Sequence, residues 1–356
     1  MILLHIAPIS DRPFSGLCVV VPQHVIAHQH CETVGFINTT NLKLDNIENQ
    51  FEYKTPFELA DLPEPFSKPD LVVFHSCYIP EYLGIVKELK KNNVPYIIVP
   101  HGCFTEGAQR KKHLKKKIGN LLFFNKYIYG AKSVQCLSES EFNATKLVEN
   151  KFIATNGINL SDKKKTSFSK EGVKLLYIGR LDPFHKGLDL MLEAVKSCLD
   201  FLKIHNANIS IYGPDIDGDY EKVKTLIYEK GVEDIVTLNG ALYGEEKTEV
   251  LLDADVFIQT SRFEGMPMGI LEALEYGLPC LATYETTLGK MIEEYNAGWA
   301  CSASADDISK ALKKAVEEKE LYMQKSESAV SLVKENFTWD KISENTLEKY
   351  REILRG

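Results

Sequence analysis

The sequence predicts an α/β protein made of two doubly wound, Rossmann-like domains. Three observations predict it. The chain has 356 residues, 44% of them hydrophobic, which is too much for one ordinary core and suits two. Short β-rich runs alternate with amphipathic stretches from end to end, as parallel sheets covered on both faces require. One polar, charged and unpatterned stretch, SDKKKTSFSKEG at 161–172, divides the alternation into two series and reads as an interdomain linker.

The first series of strands reads ILLHIA (2–7), VGFIN (34–38), LVVFHS (71–76), PYIIVP (95–100), SVQCL (133–137) and FIAT (152–155). The second reads KLLYIGR (174–180), ISIYG (209–213), IVTLNG (235–240), VFIQTS (256–261) and PCLAT (279–283). Each is a short apolar or β-branched run bounded by polar or glycine-containing loops. Segments such as GLDLMLEAVKSCLDFL (187–202) supply the intervening helices. The tail, FTWDKISENTLEKYREILRG (337–356), predicts a helix with Thr338 as N-cap. Lys341 stands where a capping-box glutamate would, so the box is incomplete.

Composition excludes several classes. The formal net charge is −8, and residues 156–356 carry 25 Lys+Arg against 35 Asp+Glu, so general nucleic-acid binding is not expected. None of the eight cysteines forms a C-x-x-C pair; they read as reduced, mostly buried thiols. The start, MILLHIAPIS, lacks a basic region and reads as a first strand rather than a leader. No apolar run reaches membrane-spanning length, so the expected location is the cytoplasm, with the inner face of a membrane as an added place of attachment. There is no G-x-G-x-x-G or Walker loop, which argues against a dinucleotide oxidoreductase and a P-loop ATPase.

Four strand-to-helix loops could carry chemistry. In open α/β sheets ligands bind beyond the carboxyl ends of strands. SRFEGMPMGILEALEYGLP (261–279) follows one such end. Gly265 and Gly269 permit close backbone approach, Pro267 stiffens the turn, and the helix from about Met268 offers its N-terminal end to an anion such as a diphosphate. Glu272 either complements the helix dipole or takes part in a site, whereas Glu264, a carboxylate in a tight loop, is suited to hydroxyls. In GRLDPFHKGLDLML (179–192), Arg180 follows a strand and Lys186 precedes a helix. The two are either solvated loop cations or a pair that neutralises phosphates, Arg as a fork and Lys as a point charge. In VPHGCF (99–104), His101 is either a turn histidine or a group for proton transfer or hydroxyl binding. APISDRPFSGLCVV (7–20) offers a single glycine, Gly16, for phosphate approach.

Two metal-like patterns are weaker. In DIDGD (215–219) the sixth position of a calcium loop is Tyr220 rather than glycine, so a solvated loop is expected. His24 and His28 lie four apart on a predicted helix, with His30 near, but no partner ligands for zinc are evident. No metal or cofactor is expected.

Taken together, the E-x7-E arrangement of Glu264 and Glu272, the GR…KG pair, the HG turn, the NGI at 156–158 and the terminal FTW helix resemble glycosyltransferase family 4. The resemblance covers nearly the whole chain, with the more specific motifs in the second half. It implies the GT-B fold, two Rossmann-like domains facing a cleft with the last helix crossing back to the first. The domains would be 1–160 with 339–356, binding acceptor, and 161–338, binding donor. It implies a retaining enzyme that uses a nucleotide diphosphate sugar as substrate, UDP-linked rather than GDP-linked. It assigns Glu264 to the donor-sugar hydroxyls and Glu272 to the ribose. Arg180 and Lys186 would grip the diphosphate with backbone amides in the stretch from Met266 to Met268, where Pro267 itself has no N–H to donate. His101 would lie beside the transferred sugar. The family often has paired glycines in its first loop, where this chain has Ser15-Gly16, and the loop YGPD (212–215) also lacks a second glycine.

The run RKKHLKKK contains Arg110, Lys111, Lys112, Lys115, Lys116 and Lys117, with Leu114, Ile118, Leu121, Leu122 and Phe123 as an apolar side. Such a run is either a solvated helix face or a membrane-surface element. In the expected acceptor half, the second reading suits a lipid-linked or growing glycan acceptor on an anionic membrane. The expected function is therefore sugar transfer in cell-surface glycan synthesis. The rivals are a non-catalytic partner subunit of the same fold and a nucleotide-sugar epimerase.

Overall fold

The computed structural model describes residues 1–11, 16–104, 124–146, 148–216 and 218–356. The chain forms two compact units, Met1–Gly157 with Trp339–Gly356, and Ile158–Thr338.

Among its described residues the first unit holds seven parallel strands: β1 Ile2–Ala7, β2 Thr33–Asn38, β3 Gln50–Glu52, β4 Leu71–His75, β5 Tyr96–Val99, β6 Ser133–Cys136 and β7 Lys151–Ile153. Their order is β3-β2-β1-β4-β5-β6-β7. The second unit holds six: β8 Val173–Ile178, β9 Ala207–Tyr212, β10 Val236–Asn239, β11 Val256–Gln259, β12 Cys280–Thr283 and β13 Gly298–Cys301. Their order is β10-β9-β8-β11-β12-β13. Both sheets start in the middle and wind outward in each direction. This doubly wound GT-B type arrangement creates a switch point between β1 and β4 and another between β8 and β11.

Burial explains the runs seen in the sequence. All five residues of β4 are buried, as are all four of β5, β6, β11 and β12. Side chains alternate between two cores, one on each face. In the first unit, Leu4, Ile6 and Phe74 belong to one core and Leu3, Phe36 and Val73 to the other. In the second unit, Leu175, Tyr177 and Ile258 face one way and Leu176 and Phe257 the other. The last helix, Trp339–Arg355, belongs to the first unit, where Leu347 and Tyr350 enter its core.

Two strands were not anticipated. β3 is three residues at a sheet edge, QFE, and β13, GWAC, is short and starts with glycine. The stretch 161–172 is also not a free linker, because it is fastened along the second unit. Ser161 N–H donates to the Glu275 carboxylate, Lys165 N–H to the Tyr276 carbonyl at 2.8 Å, and Ser169 N–H to Asp255 at 2.8 Å. Lys165 is buried, with its ammonium 2.8 Å from the Leu252 carbonyl. Polar composition hid these bonds because most of them engage the backbone.

Candidate functional site

In the second unit, β8 and β11 deliver two loops to the carboxyl end of the switch point, and the loops are laced together. Gly187 makes the close approach possible. Its φ is +63°, and a Cβ there would stand 1.9 Å from the Thr260 carbonyl oxygen. Thr260 Oγ1 donates to the Gly187 carbonyl at 2.9 Å. The Arg262 guanidinium forms a two-pronged pair with Asp189 at 2.7 and 2.8 Å and lies over the Phe184 ring. Arg262 N–H donates to the His185 carbonyl, and the His185 ring stacks on Phe263 with its Nε2 2.9 Å from the Phe263 carbonyl. Burial lowers the pKa of His185, with the Lys186 and Arg180 charges acting in the same direction and the Glu264 and Asp182 carboxylates against it.

Inside this lacing, the Lys186 ammonium pairs with Glu264, both side chains being about a tenth exposed. Glu264 Oε1 also accepts from Ser261 Oγ at 3.1 Å and from Gln259 Nε2 at 3.3 Å. Arg180 is exposed, and its guanidinium lies 3.3 Å from His185 Nδ1. Two of the sequence candidates, Lys186 and Glu264, thus meet directly, whereas Arg180 contacts His185.

Glu272 has another partner. The helix Met268–Glu275 starts after Pro267, whose carbonyl accepts from Ile270 and Leu271. Glu272 pairs with Lys247, which comes from the helix Gly244–Asp253. Lys247 had no signal in the sequence, because only the fold brings that helix alongside. Gly269 is closely packed, with the Ile178 carbonyl 3.2 Å from where a Cβ would sit, whereas Gly265 faces open space. The Gly265 carbonyl accepts from Thr287 Oγ1 at 3.1 Å. Of the backbone amides at Met266–Met268, that of Met268 is already bonded to the Met266 carbonyl at 3.0 Å.

In the first unit, Gly16 opens the helix Gly16–Gln29. The whole basic run, Arg110 to Lys117, lies outside the described residues. His101 follows β5 and is half-buried. It has φ +50° and Gly102 has φ +82°. A left-handed non-glycine residue persists only when its surroundings hold it. Glu141 does so: its carboxylate accepts Gly102 N–H at 2.6 Å and Leu137 N–H at 2.8 Å. Burial pushes that carboxyl up to about 7, against the pull of the two backbone bonds. Glu141 was missed in the sequence, although Ser138 and Glu141 have capping-box spacing and the Ser138 hydroxyl does accept from Glu141 N–H at 3.1 Å.

His101 is the outer end of a histidine cluster. His75 Nδ1 is 2.9 Å from His101 Nε2, His5 Nδ1 is 2.9 Å from His75 Nε2, and His28 Nδ1 is 3.1 Å from His5 Nε2. His24 packs edge-on against His28, with ring centroids 4.4 Å apart, and stacks on Trp339. The rings pair end to end rather than converging on one point. Among the described residues no group of three or more His, Cys, Asp or Glu side chains is arranged to hold a metal ion. Burial keeps these imidazoles neutral: His5, His28 and His75 are held well below the ordinary range, His24 at about 4 and His101 at about 3.

Residues 159–331 match the family model "Glycosyl transferases group 1". An uncharacterised glycosyltransferase of Methanocaldococcus jannaschii is 27% identical over 201 residues, covering 54% of this chain and 50% of that protein. The amylovoran biosynthesis glycosyltransferase AmsK of Erwinia amylovora is 25% identical, covering 68% of this chain and 60% of its own. The chain spans about half the length of the curated relatives it matches. Among solved structures, Anabaena HepE in complex with UDP and glucose superposes with a TM-score of 0.70 at 16% identity, over 98% of this chain and 99% of its own. That likeness is one of fold. No helix among the described residues is long and apolar enough to cross a membrane.

Proposed function

We propose, because residues 159–331 are a group 1 glycosyl transferase domain, that the chain moves a sugar from a nucleotide diphosphate sugar to a glycan acceptor with retention of configuration. The observation that carries this reading is the Lys186–Glu264 pair at the switch point of the second sheet. It sets a cation and a hydroxyl-binding carboxylate side by side where a parallel sheet binds its ligand. An ammonium has three N–H donors and Glu264 engages one, so the others are available to phosphate oxygens. Among the described residues the bonds to Glu264 all fall on Oε1, which leaves Oε2 for a sugar hydroxyl.

In this reading Arg180, Lys186 and the start of the helix at Met268 stabilise the departing diphosphate as its charge develops. Glu272 takes the ribose hydroxyls and His101 the transferred sugar. The acceptor hydroxyl attacks the anomeric carbon from the face the diphosphate leaves. The carbon–oxygen bond to phosphate breaks, and a phosphate oxygen takes the acceptor proton. UDP is the favoured nucleotide, supported by the family resemblance and by the UDP-bound Anabaena neighbour. A glycan acceptor fits the amylovoran relative, and the basic run at 110–117 favours one held on an anionic membrane at the cytoplasmic face.

Incubating the protein with a panel of nucleotide sugars, with and without membrane extract, tests this. Acceptor-dependent release of nucleotide diphosphate supports it, and no release with any donor in the presence of extract removes it. Conversion of the donor sugar without release identifies an epimerase. For the acceptor side, replacing Lys111, Lys112, Lys115 and Lys116 with Gln should release the protein from anionic vesicles and leave nucleotide affinity unchanged. Wild-type protein that ignores such vesicles at low salt makes the run a solvated face.

A further inference from the structure

The four imidazoles that end at His101 are joined in one sense. At every link Nδ1 of one ring meets Nε2 of the next, running His28, His5, His75, His101. A neutral imidazole has one N–H and one bare nitrogen. In such a row each ring can donate only if it accepts at its other nitrogen. The row therefore has two good states, with every proton on Nδ1 or every proton on Nε2. A mixed row leaves either two N–H groups or two lone pairs facing each other in a buried link. Two strands, a helix and the loop after β5 that carries His101 build the row. His5 lies on β1, and His75 ends the adjacent β4, where the register pairs His5 with Val73. His28 comes from the helix packed over them, and Tyr350 of the last helix closes the row with its ring edge-on to His28.

The two states differ at the ends. At the inner end, His28 Nε2 is fully buried and has no hydrogen-bond partner among the described residues. With every proton on Nε2, that position would be a buried N–H without an acceptor. With every proton on Nδ1, it is a bare lone pair. Orphaned buried N–H groups are the rarer of the two in folded proteins. The geometry points to the second state: we propose that His28, His5 and His75 act as positioning residues that lock the His101 proton onto Nδ1, so that His101 meets its ligand as a neutral hydrogen-bond donor. Burial suppresses the charged form of each ring, which would otherwise carry two N–H groups and break the row. The identity of the ligand at His101 rests on the proposed function, but the locked row does not.

Long-range 1H–15N correlation spectra of the full chain with 15N-labelled histidine, without ligand at neutral pH, read the ring protons directly. The expected result is a proton on Nδ1 and a bare Nε2 in His28, His5, His75 and His101 alike. A proton on Nε2 of any of the four, or two tautomers in exchange, overturns the proposal. Remote control is tested at His5, two links from His101. In His5→Asn the amide can stand at the Nδ1 position and donate to His75, so His101 keeps its proton on Nδ1. In His5→Asp an ionised carboxylate can only accept, so the His75 and His101 protons should both move to Nε2. His101 unchanged in a folded His5→Asp variant also overturns it. If that variant does not fold, the wild-type spectrum alone decides.

Discussion

The two units wind their sheets in the same order, the first with one further edge strand, and arm their switch points in opposite ways. Between β8 and β11 the second unit places charges: Lys186 on Glu264, Arg262 on Asp189, and Arg180 beside them. Between β1 and β4 the first unit places neutral rings, His5 and His75, in a row that reaches His101. A charged site suits a phosphate-bearing ligand and a neutral one suits hydroxyls. The comparison teaches that the sheet fixes where a ligand binds, while the side chains at the strand ends decide its chemistry.

The largest effect should come from breaking the charge pair. Lys186→Met should cut turnover by ~10²-fold or more, as loss of one preorganised charge does. It should also lower stability by about 3 kcal/mol, because it leaves Glu264 as an unpaired buried charge. The double variant Lys186→Met with Glu264→Gln should regain most of that stability and none of the activity. Denaturant titration with a turnover assay checks both, and recovery of activity in the double variant would make the pair structural only.

Acid should separate the units next. His5, His24, His28 and His75 of the first unit have folded pKa values below the ordinary 6.5, so between pH 6.5 and about 4 the unfolded chain binds protons that the folded unit refuses. Their contribution is complete above pH 6.5 and is lost as pH falls. Glu141, held at about 7, works the other way, since the folded unit keeps its proton between pH 4.5 and 7. Several histidines outweigh one glutamate, so the first unit should lose more than about 1.4 kcal/mol per pH unit over this window. The chain has two tryptophans, Trp339 against His24 in the first unit and Trp299 in the second. Thermal melts of Trp299→Phe followed by fluorescence from Trp339 read the first unit alone. A midpoint that is flat from pH 7 to 5 would contradict the neutral core.

The smallest effect should come from the lacing. Arg262→Lys keeps the charge but loses the two-pronged contact with Asp189. Because the pair is partly exposed, the stability cost should be about 1 kcal/mol or less. A several-fold rise in donor KM with little change in kcat is expected, since the loops that hold Lys186 loosen. An unchanged KM would mean that the loops do not depend on the lacing.

The second site was more legible in the sequence than the first. Arg180, Lys186 and Glu264 fall within short loops after strong strands and Glu272 in the helix that follows the second loop, so spacing along the chain already groups them in two clusters. That Lys186 meets Glu264 and Glu272 meets Lys247 depends on which helices become neighbours, and no local pattern encodes it. In the first unit His24 and His28 showed helical spacing, a weak metal-like pattern without evident partner ligands. Their partners, His5 and His75, are single residues inside apolar strands 70 positions apart, brought together by parallel register. The strongly apolar strands were readable because both faces are buried. β3 and β13 were not: both lie at sheet edges, β3 has three residues and none buried, and β13 starts with glycine.

The most direct test of the account is calorimetric titration of the full chain with UDP and with GDP, alongside Lys186→Met, Glu272→Gln and His101→Gln. UDP should bind the wild type, weaken at least tenfold in Lys186→Met and in Glu272→Gln, and bind His101→Gln as tightly as the wild type. Binding of neither nucleotide to the folded wild type, or unchanged UDP affinity in Lys186→Met, would contradict a donor site between β8 and β11.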